Sequence, residues 1–387
     1  MKKHYTFALC LLLACCICAC RGHRSPKNEG MVADQSDTLA LKYASRINIV
    51  KGDGYTVVKL ADPWNTGHTL HTYVLMPEGS EQPADLPRGT IIRTPLRRAV
   101  ISTSVHCALV LSMNRQEAIA GVCDLLYIQL PYVEEQCKKG NIADCGSALS
   151  PTLETIIDLH PDAIFLSPFQ NSGGYGRLEE LNVPIIETAD YMETSALGRA
   201  EWMRFYGLLF GAEHEADSLF NEVEQNYLKL AQLAKTDKQQ KSVVLDKQTG
   251  SVWYVPGGQS TMGRLIADAN AGYAWSRDEH SGSVALPFES VLENAGDADV
   301  WLFRYSATQP MTYKALLSEH AGYKQFKAFR EQTVYGCNTL NSGFYEETPF
   351  HPDRLLRDFI IVTHPNLELG EPKYFHPLRT ETPVSHP

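Results

Sequence analysis

The sequence predicts an α/β protein of two lobes with mostly parallel sheets, joined by a long connecting helix. Three observations carry this. Short, continuously apolar runs such as Ala99-Val100-Ile101 and Ala163-Ile164-Phe165-Leu166 alternate with helical stretches, the pattern of strands buried on both faces of a parallel sheet. Between residues 197 and 234 the apolar period becomes that of a long helix. Beyond it, the alternation of strand and helix starts again.

The amino terminus sets the compartment. Lys2 and Lys3 precede an almost wholly apolar run, Phe7 to Ala19. The run is short of the ~20 apolar residues that a membrane span needs and suits a secretory leader. It ends in Ile17-Cys18-Ala19-Cys20 and turns polar at once with Arg21-Gly22-His23. This is similar to a bacterial lipobox, in which the Cys is acylated and becomes the mature amino terminus. Leu12-Leu13-Ala14-Cys15 is a second match, but cleavage there would leave apolar residues behind. Residues 1–19 are therefore expected to be a lipoprotein signal peptide, Cys20 the lipidation site and residues 20–44 a flexible tether.

From Ile47 to Leu75 the residues are strand-like, with Tyr55 to Leu60 and His71 to Leu75 rich in β-branched and aromatic side chains. This β-rich segment, 45–90, opens an N-terminal lobe spanning 45–196. Strands at 99–102, 118–122, 163–166 and 184–186 alternate with helices, one of them starting at Ser150-Pro151 with Ser150 as its cap. In the connector, 197–234, Trp202, Phe205, Tyr206 and Leu209 form an apolar stripe. Ala216, Leu219, Phe220, Val223, Tyr227 and Leu230 continue it past a break at Gly211. The C-terminal lobe, 235–387, has strands expected at 242–246, 251–255, 299–303 and 333–335. Its helices are expected at 260–269, 287–294 and 352–363. The whole reads as two Rossmann-like lobes.

The chain has 387 residues and a formal charge of −10, which becomes −12 without Lys2 and Lys3. An acidic body argues against nucleic acid as partner, since phosphate binding wants basic patches. Roughly 365 mature residues exceed what one core usually serves, so two domains are expected. Five cysteines follow Cys20, namely Cys107, Cys123, Cys137, Cys145 and Cys337. Export permits disulfides; Cys137 and Cys145, flanking a small loop, are the favoured pair, and the odd count leaves a free thiol. The sequence has no GxSxG, HExxH, Walker A or GxGxxG pattern. Gly257-Gly258 and Gly263 have the wrong spacing for a phosphate loop, and no Lys follows.

Five blocks in order resemble the substrate-binding proteins of siderophore, haem and cobalamin ABC importers. They are Leu96 to Val122, Leu153 to Phe165, Trp253 to Gly258 with Ala267 to Ala271, Pro287 to Trp301, and His351 to Phe359. Together they span roughly residues 95–365. The resemblance implies a non-enzymatic, lipid-anchored, extracytoplasmic protein that carries its ligand to a permease. It implies no cofactor and a monomer. The ligand is expected to be a ferric siderophore or similar iron chelate, with a corrinoid (cobalamin) second and haem third. Segment 45–90 departs from the family pattern. A lipid-anchored hydrolase is the rival class, distinguished by turnover that depends on one Ser or carboxylate.

Open α/β sheets bind ligands at the carboxyl ends of their strands. In the first lobe those positions hold Thr103, Ser104 and His106, then Asp124, then Phe169 and Gln170, then Tyr191. In the second lobe they hold Trp253 and Tyr254, Arg304 and Tyr305, and Phe344 and Tyr345. Aromatics would pack the face of a chelate and Arg304 would meet its negative charge. No resident metal is expected. A bare-metal binder would need His106, Asp190, Asp278, His280 and His351 to converge. By the resemblance, Glu154 and Glu289, one in the first helical turn of each lobe, face Arg residues of the two permease subunits.

Overall fold

The computed structural model describes residues 38–170 and 174–380. The leader, Cys20 and the tether before residue 38 lie outside the described residues. Four strands come first: β1 (Ile47–Lys51), β2 (Thr56–Ala61), β3 (Thr69–Pro77) and β4 (Thr90–Thr94). They form one sheet in that order, antiparallel except for the parallel β3–β4 pair. These strands occupy most of segment 45–90, and β4 runs on to Thr94.

The first lobe contains a five-stranded parallel sheet. Its order is Ile185–Glu187, Ala163–Leu166, Ala99–Ile101, Ile119–Val122, Ala143–Asp144. Helices α1 (Ser104–Ser112), α2 (Pro131–Lys138) and α3 (Leu153–Leu159) connect its strands. Thr103 caps α1 by accepting from the N–H of His106. The expected start of α3 needs correction: Ser150 and Pro151 pair with Gly146 and Ser147 in a small antiparallel hairpin, and Thr152 is the residue before the helix. Glu154 remains in its first turn.

The connector is three helices rather than one: α4 (Ala196–Glu201), α5 (Met203–Phe210) and α6 (Glu213–Ala234). Ser195 caps α4 through the N–H of Gly198. Gly211, with φ of +59°, ends α5 in the left-handed conformation that glycine adopts without a Cβ penalty. In α6, Ala216, Phe220, Val223, Tyr227 and Ala231 make the buried stripe, and the helix packs against the closing helix α12 described below.

The second lobe repeats the plan. Its main sheet runs Gly272–Tyr273, Ser242–Leu245, Val300–Tyr305, Val334–Asn338, all parallel, with His376–Pro377 added antiparallel at the edge. The strand expected at 251–255 belongs elsewhere. Val252–Pro256 is the middle of a separate antiparallel sheet with Gln248–Thr249 and Ser283–Leu286. Helices α7 (Thr261–Asp268), α8 (Phe288–Ala295), α9 (Tyr313–Glu319), α10 (Lys327–Arg330), α11 (Phe344–Glu347) and α12 (Pro352–Thr363) complete it. A Cβ on Gly257 would stand 2.3 Å from the carbonyl of His280, and one on Gly263 would stand 2.2 Å from the carbonyl of Gly257. These glycines permit close backbone packing.

One core runs from the N-terminal sheet through the first parallel sheet and the connector into α12 and the second sheet. A second cluster, around Trp253, Trp301, Tyr323 and Phe326, fills the outer side of the second lobe. Each such side chain contributes roughly 1.5–3 kcal/mol by leaving water. Among the described residues the five cysteines are all free thiols, so Cys137 and Cys145 are not joined. Burial pushes the Cys145 thiol up to about 11.

Candidate functional site

The carboxyl ends of the first-lobe strands open onto a cavity of about 910 Å³. Four of them deliver side chains there: Thr103 after Ala99–Ile101, Asp124 after Ile119–Val122, Phe169 after Ala163–Leu166 and Tyr191 after Ile185–Glu187. Its apolar wall is strongly exposed. Leu149 is 88% and Phe169 55% accessible, and Tyr191 is held over the cavity by donating its hydroxyl to the carbonyl of Pro168. Apolar groups left this open on a concave surface mark a binding site rather than a core.

The charges in this cavity are mixed. Asp124 and Glu154 line it together with Arg177. Asp124, at φ +50°, accepts from the N–H of Ala148 at 3.2 Å, which ties its loop to the small hairpin. Among the described residues Arg177 has no ion-pair partner, so it is the cation left for a ligand.

A smaller cavity of about 220 Å³ adjoins, sharing Thr103, Ser167 and Tyr191 with the first. Its floor is a buried polar cluster. The Nε2 of His106 lies 2.9 Å from Asp190 Oδ1, and its Nδ1 lies 2.5 Å from the hydroxyl of Thr103. Tyr206 donates to Asp190 Oδ1 at 2.8 Å and Arg199 to Oδ2 at 3.0 Å. Burial pushes the Asp190 carboxyl up. The charges of His106 and Arg199, with the bonds from His106 and Tyr206, outweigh burial and bring it to about 2.

Arg199 also borders a third cavity of about 220 Å³. This one is walled by the second lobe, through Thr261, Met262, Arg304, Phe344 and Tyr345. The three cavities thus share walls in one groove, whose first part is lined by the first lobe and whose third part reaches the second lobe. The lobes touch across it, where α1 packs against α11 and the His106 ring lies 5.9 Å from that of Phe350.

Comparison with known proteins now bears on this geometry. The sequence pattern described as periplasmic binding protein matches residues 127–339. The chain belongs to the periplasmic binding protein family. An uncharacterized lipoprotein of Methanocaldococcus jannaschii is 25% identical over 368 residues, which is 89% of this chain and 86% of that protein. A periplasmic haem-binding protein from Pseudomonas aeruginosa superposes with a TM-score of 0.57 at 16% identity, covering 74% of this chain and 99% of that one. A structure from a Saccharomonospora viridis Fe3+-hydroxamate transport system gives 0.53 at 16% identity, covering 70% and 93%. Those likenesses show the fold. The family comprises transport components rather than enzymes, which sets the hydrolase reading aside.

Of the positions expected to meet ligand in this periplasmic binding protein, Thr103, Asp124, Phe169 and Tyr191 share the first cavity, and Arg304, Phe344 and Tyr345 share the third. Others fall elsewhere. Trp253 is fully buried, stacks on Trp301 and donates to the carbonyl of Leu245, so it is core. Tyr254, next along the strand, points outward at 50% exposure away from the groove. Tyr305 packs on Phe303, and its hydroxyl accepts from Met311. Ser104 and Gln170 are outside the lining. His106 borders the groove, but both ring nitrogens are engaged by Thr103 and Asp190. Arg304 is locked to Asp246 by two bonds, of 3.0 and 2.6 Å, so its charge is already answered.

Sequence reasoning missed Leu149, Arg177 and Arg199. Leu149 sits on a two-residue hairpin with no periodicity of its own. Arg177 and Arg199 are cations whose position depends entirely on how the chain folds back over the strand ends.

The depressed Asp190 carboxyl has a pH consequence. Its stabilising effect is complete above the unfolded value near ~4 and is lost as pH falls from there towards about 2. Asp190→Ala should cost about 3–5 kcal/mol at pH 7, because it leaves Arg199 and His106 without their buried partner. The variant should also lose less stability than the parent between pH 4 and pH 3. Urea unfolding at these pH values measures both effects; parallel losses in parent and variant would show that Asp190 is not the source.

Proposed function

We propose that this periplasmic binding protein captures an iron chelate of low net charge in its inter-lobe groove and delivers it to an ABC permease. The observation that carries this is the first-lobe cavity, about 910 Å³ in volume, walled by exposed Leu149, Phe169 and Tyr191. Its size lies at the upper end of small-molecule sites. Among the described residues there is no group of three or more His, Cys, Asp or Glu that could hold a metal, which supports a ligand that brings its own donors over a bare ion. The balance of Asp124 and Glu154 against Arg177 disfavours a strongly anionic chelate. The solved relatives add support, since one is a haem binder and another comes from an Fe3+-hydroxamate system.

Titration of the purified protein with ferric hydroxamates, ferric catecholates, haem and cobalamin, followed by tryptophan fluorescence, tests this reading. A neutral ferric chelate should bind with Kd below about 1 μM, equivalent to −8.2 kcal/mol, and Phe169→Ala should weaken it about tenfold. If no compound binds better than about 100 μM, the reading fails. Tighter binding of cobalamin or haem would reassign the ligand within the same groove.

Delivery rests on Glu154 and Glu289, which lie exposed in the first turns of α3 and α8 and make no ion pair among the described residues. Two separated carboxylates would set both orientation and lobe spacing against Arg residues of a permease. A first-turn carboxylate also gains ~0.3–1 kcal/mol from its own helix, so helix stability is the competing role. Glu154 borders the ligand cavity, which makes Glu289 the cleaner probe. Glu289→Ala should leave chelate affinity unchanged and melting within about 2 °C of the parent while uptake falls to background. Normal uptake by Glu289→Ala would remove Glu289 from the docking surface. The anchor would be Cys20, whose replacement by Ala should move the protein from the membrane fraction to the soluble one; retention on the membrane would exclude it.

A further inference from the structure

A fourth cavity lies behind the groove, between the N-terminal sheet and the edge of the first-lobe sheet. It measures about 480 Å³ and meets the first cavity at Gly174 and Tyr175. Strands β3 and β4 supply His71, Thr90 and Ile91, and the edge strand supplies Ile185 and Glu187. Among the described residues no Lys or Arg lines it, and its ionisable groups are Glu187, Glu179, His71 and Tyr175.

Glu187 is only 8% exposed. Its backbone is fixed, because its N–H donates to the Tyr73 hydroxyl at 2.8 Å, which in turn donates to the carbonyl of Ile185. Its Oε1 accepts from the Tyr175 hydroxyl at 3.1 Å. Its Oε2 is buried and has no hydrogen-bond partner among the described residues. The nearest cationic group is His71 Nδ1 at 3.5 Å, beyond a good hydrogen bond. His71 cannot swing closer without loss. Its Nε2 is held by Thr90 Oγ1 at 2.8 Å and its ring stacks on Tyr73 with centroids 4.3 Å apart.

A buried carboxylate oxygen without a donor is a costly thing to leave in a fold. A donor supplied from the cavity would remove that cost. The rest of the wall says what kind of donor. Ile91, Val183 and Pro184 are apolar, the two carboxylates make the potential negative, and the rings of Tyr175 and His71 offer π faces to a cation. We propose that this cavity is a second small-molecule site, which takes an organic cation whose ammonium or guanidinium group donates to Glu187. It is formed only because segment 45–90 covers the sheet edge, and the wall that this segment supplies, His71, Thr90 and Ile91, lies outside the stretch matched by the family pattern, 127–339. The site stands independently of which chelate the groove accepts.

Agmatine and butylammonium are suitable probes, with 1-butanol as the neutral control, added to the purified protein at pH 8 and followed by calorimetry and saturation-transfer NMR. Both cations should bind saturably below about 10 mM, in the range of weak small-ligand affinities, and butanol should not. Glu187→Gln should weaken cation binding at least tenfold. Ile91→Phe, which fills the cavity from β4 without touching Glu187, should abolish it. Phe169→Ala in the main groove should leave it unchanged. Failure of both cations to saturate by 10 mM would overturn the proposal, leaving Glu187 to water. So would equal binding of butanol, or undiminished binding in both Glu187→Gln and Ile91→Phe. None of these outcomes depends on chelate binding in the groove, so the two readings fail separately.

Discussion

The carboxylate of Asp190 is fully buried and is gripped from three other elements: His106 on α1, Arg199 on α4 and Tyr206 on α5. An ion in the protein interior is tolerated only when its partners are in place, since an uncompensated buried charge costs several kcal/mol. The cluster therefore fixes where α1 and the first two connector helices sit relative to the edge strand. Thr103 joins it through His106 Nδ1 and faces the groove. The second lobe is brought to the same place by the packing of α11 on α1. The groove's geometry follows from this junction.

The stretch leading into the N-terminal sheet is bound to the connector and to the turn before it by buried carboxylates. Glu201 accepts from the backbone N–H groups of Lys42, Tyr43 and Ala44 at 2.8–2.9 Å. Glu193 accepts from Ser45, Arg46 and the Trp202 indole, and Glu224 from the Lys42 ammonium and the Tyr43 hydroxyl. Charge-assisted bonds of this kind are stronger than neutral ones, and they satisfy backbone donors that have no strand partner. At the far side Tyr73 bridges β3 to the edge strand Ile185–Glu187. The segment 45–90 is thus part of the first lobe's body, and it shields a sheet edge that would otherwise be open.

Much of the architecture was legible because it is written in local patterns. The closing helix begins at Pro352 and ends at Thr363, as the first-turn proline and apolar spacing predict. Ser260 caps α7 through the N–H of Gly263, again a signal confined to four residues. The lining of the first cavity was legible where strand ends alone decide position, as at Thr103, Asp124, Phe169 and Tyr191. Which polar groups are already paired was not legible, because a partner distant in the chain decides. Asp246 takes up Arg304 from 58 residues away, and Asp190 takes up His106 from 84 away. For Trp253 and Tyr254 the two-residue period of a strand requires opposite faces, so only one of the two could be exposed, and it is Tyr254.

By itself the sequence determined the α/β class, the two-lobe order, the amphipathic connector and the resemblance to a binding family. These depend on periodicity, caps and short blocks, which act within a few residues of chain. Tertiary structure decided which charges are free and which are spent. Among the described residues Arg177 is left open while Arg304 and Arg199 are paired, and Glu187 is left with a bare oxygen beside His71. A side chain's chemistry is set by its neighbours in space, and here those neighbours come from segments up to 182 residues apart, brought together only when both lobes and the N-terminal sheet close on the connector.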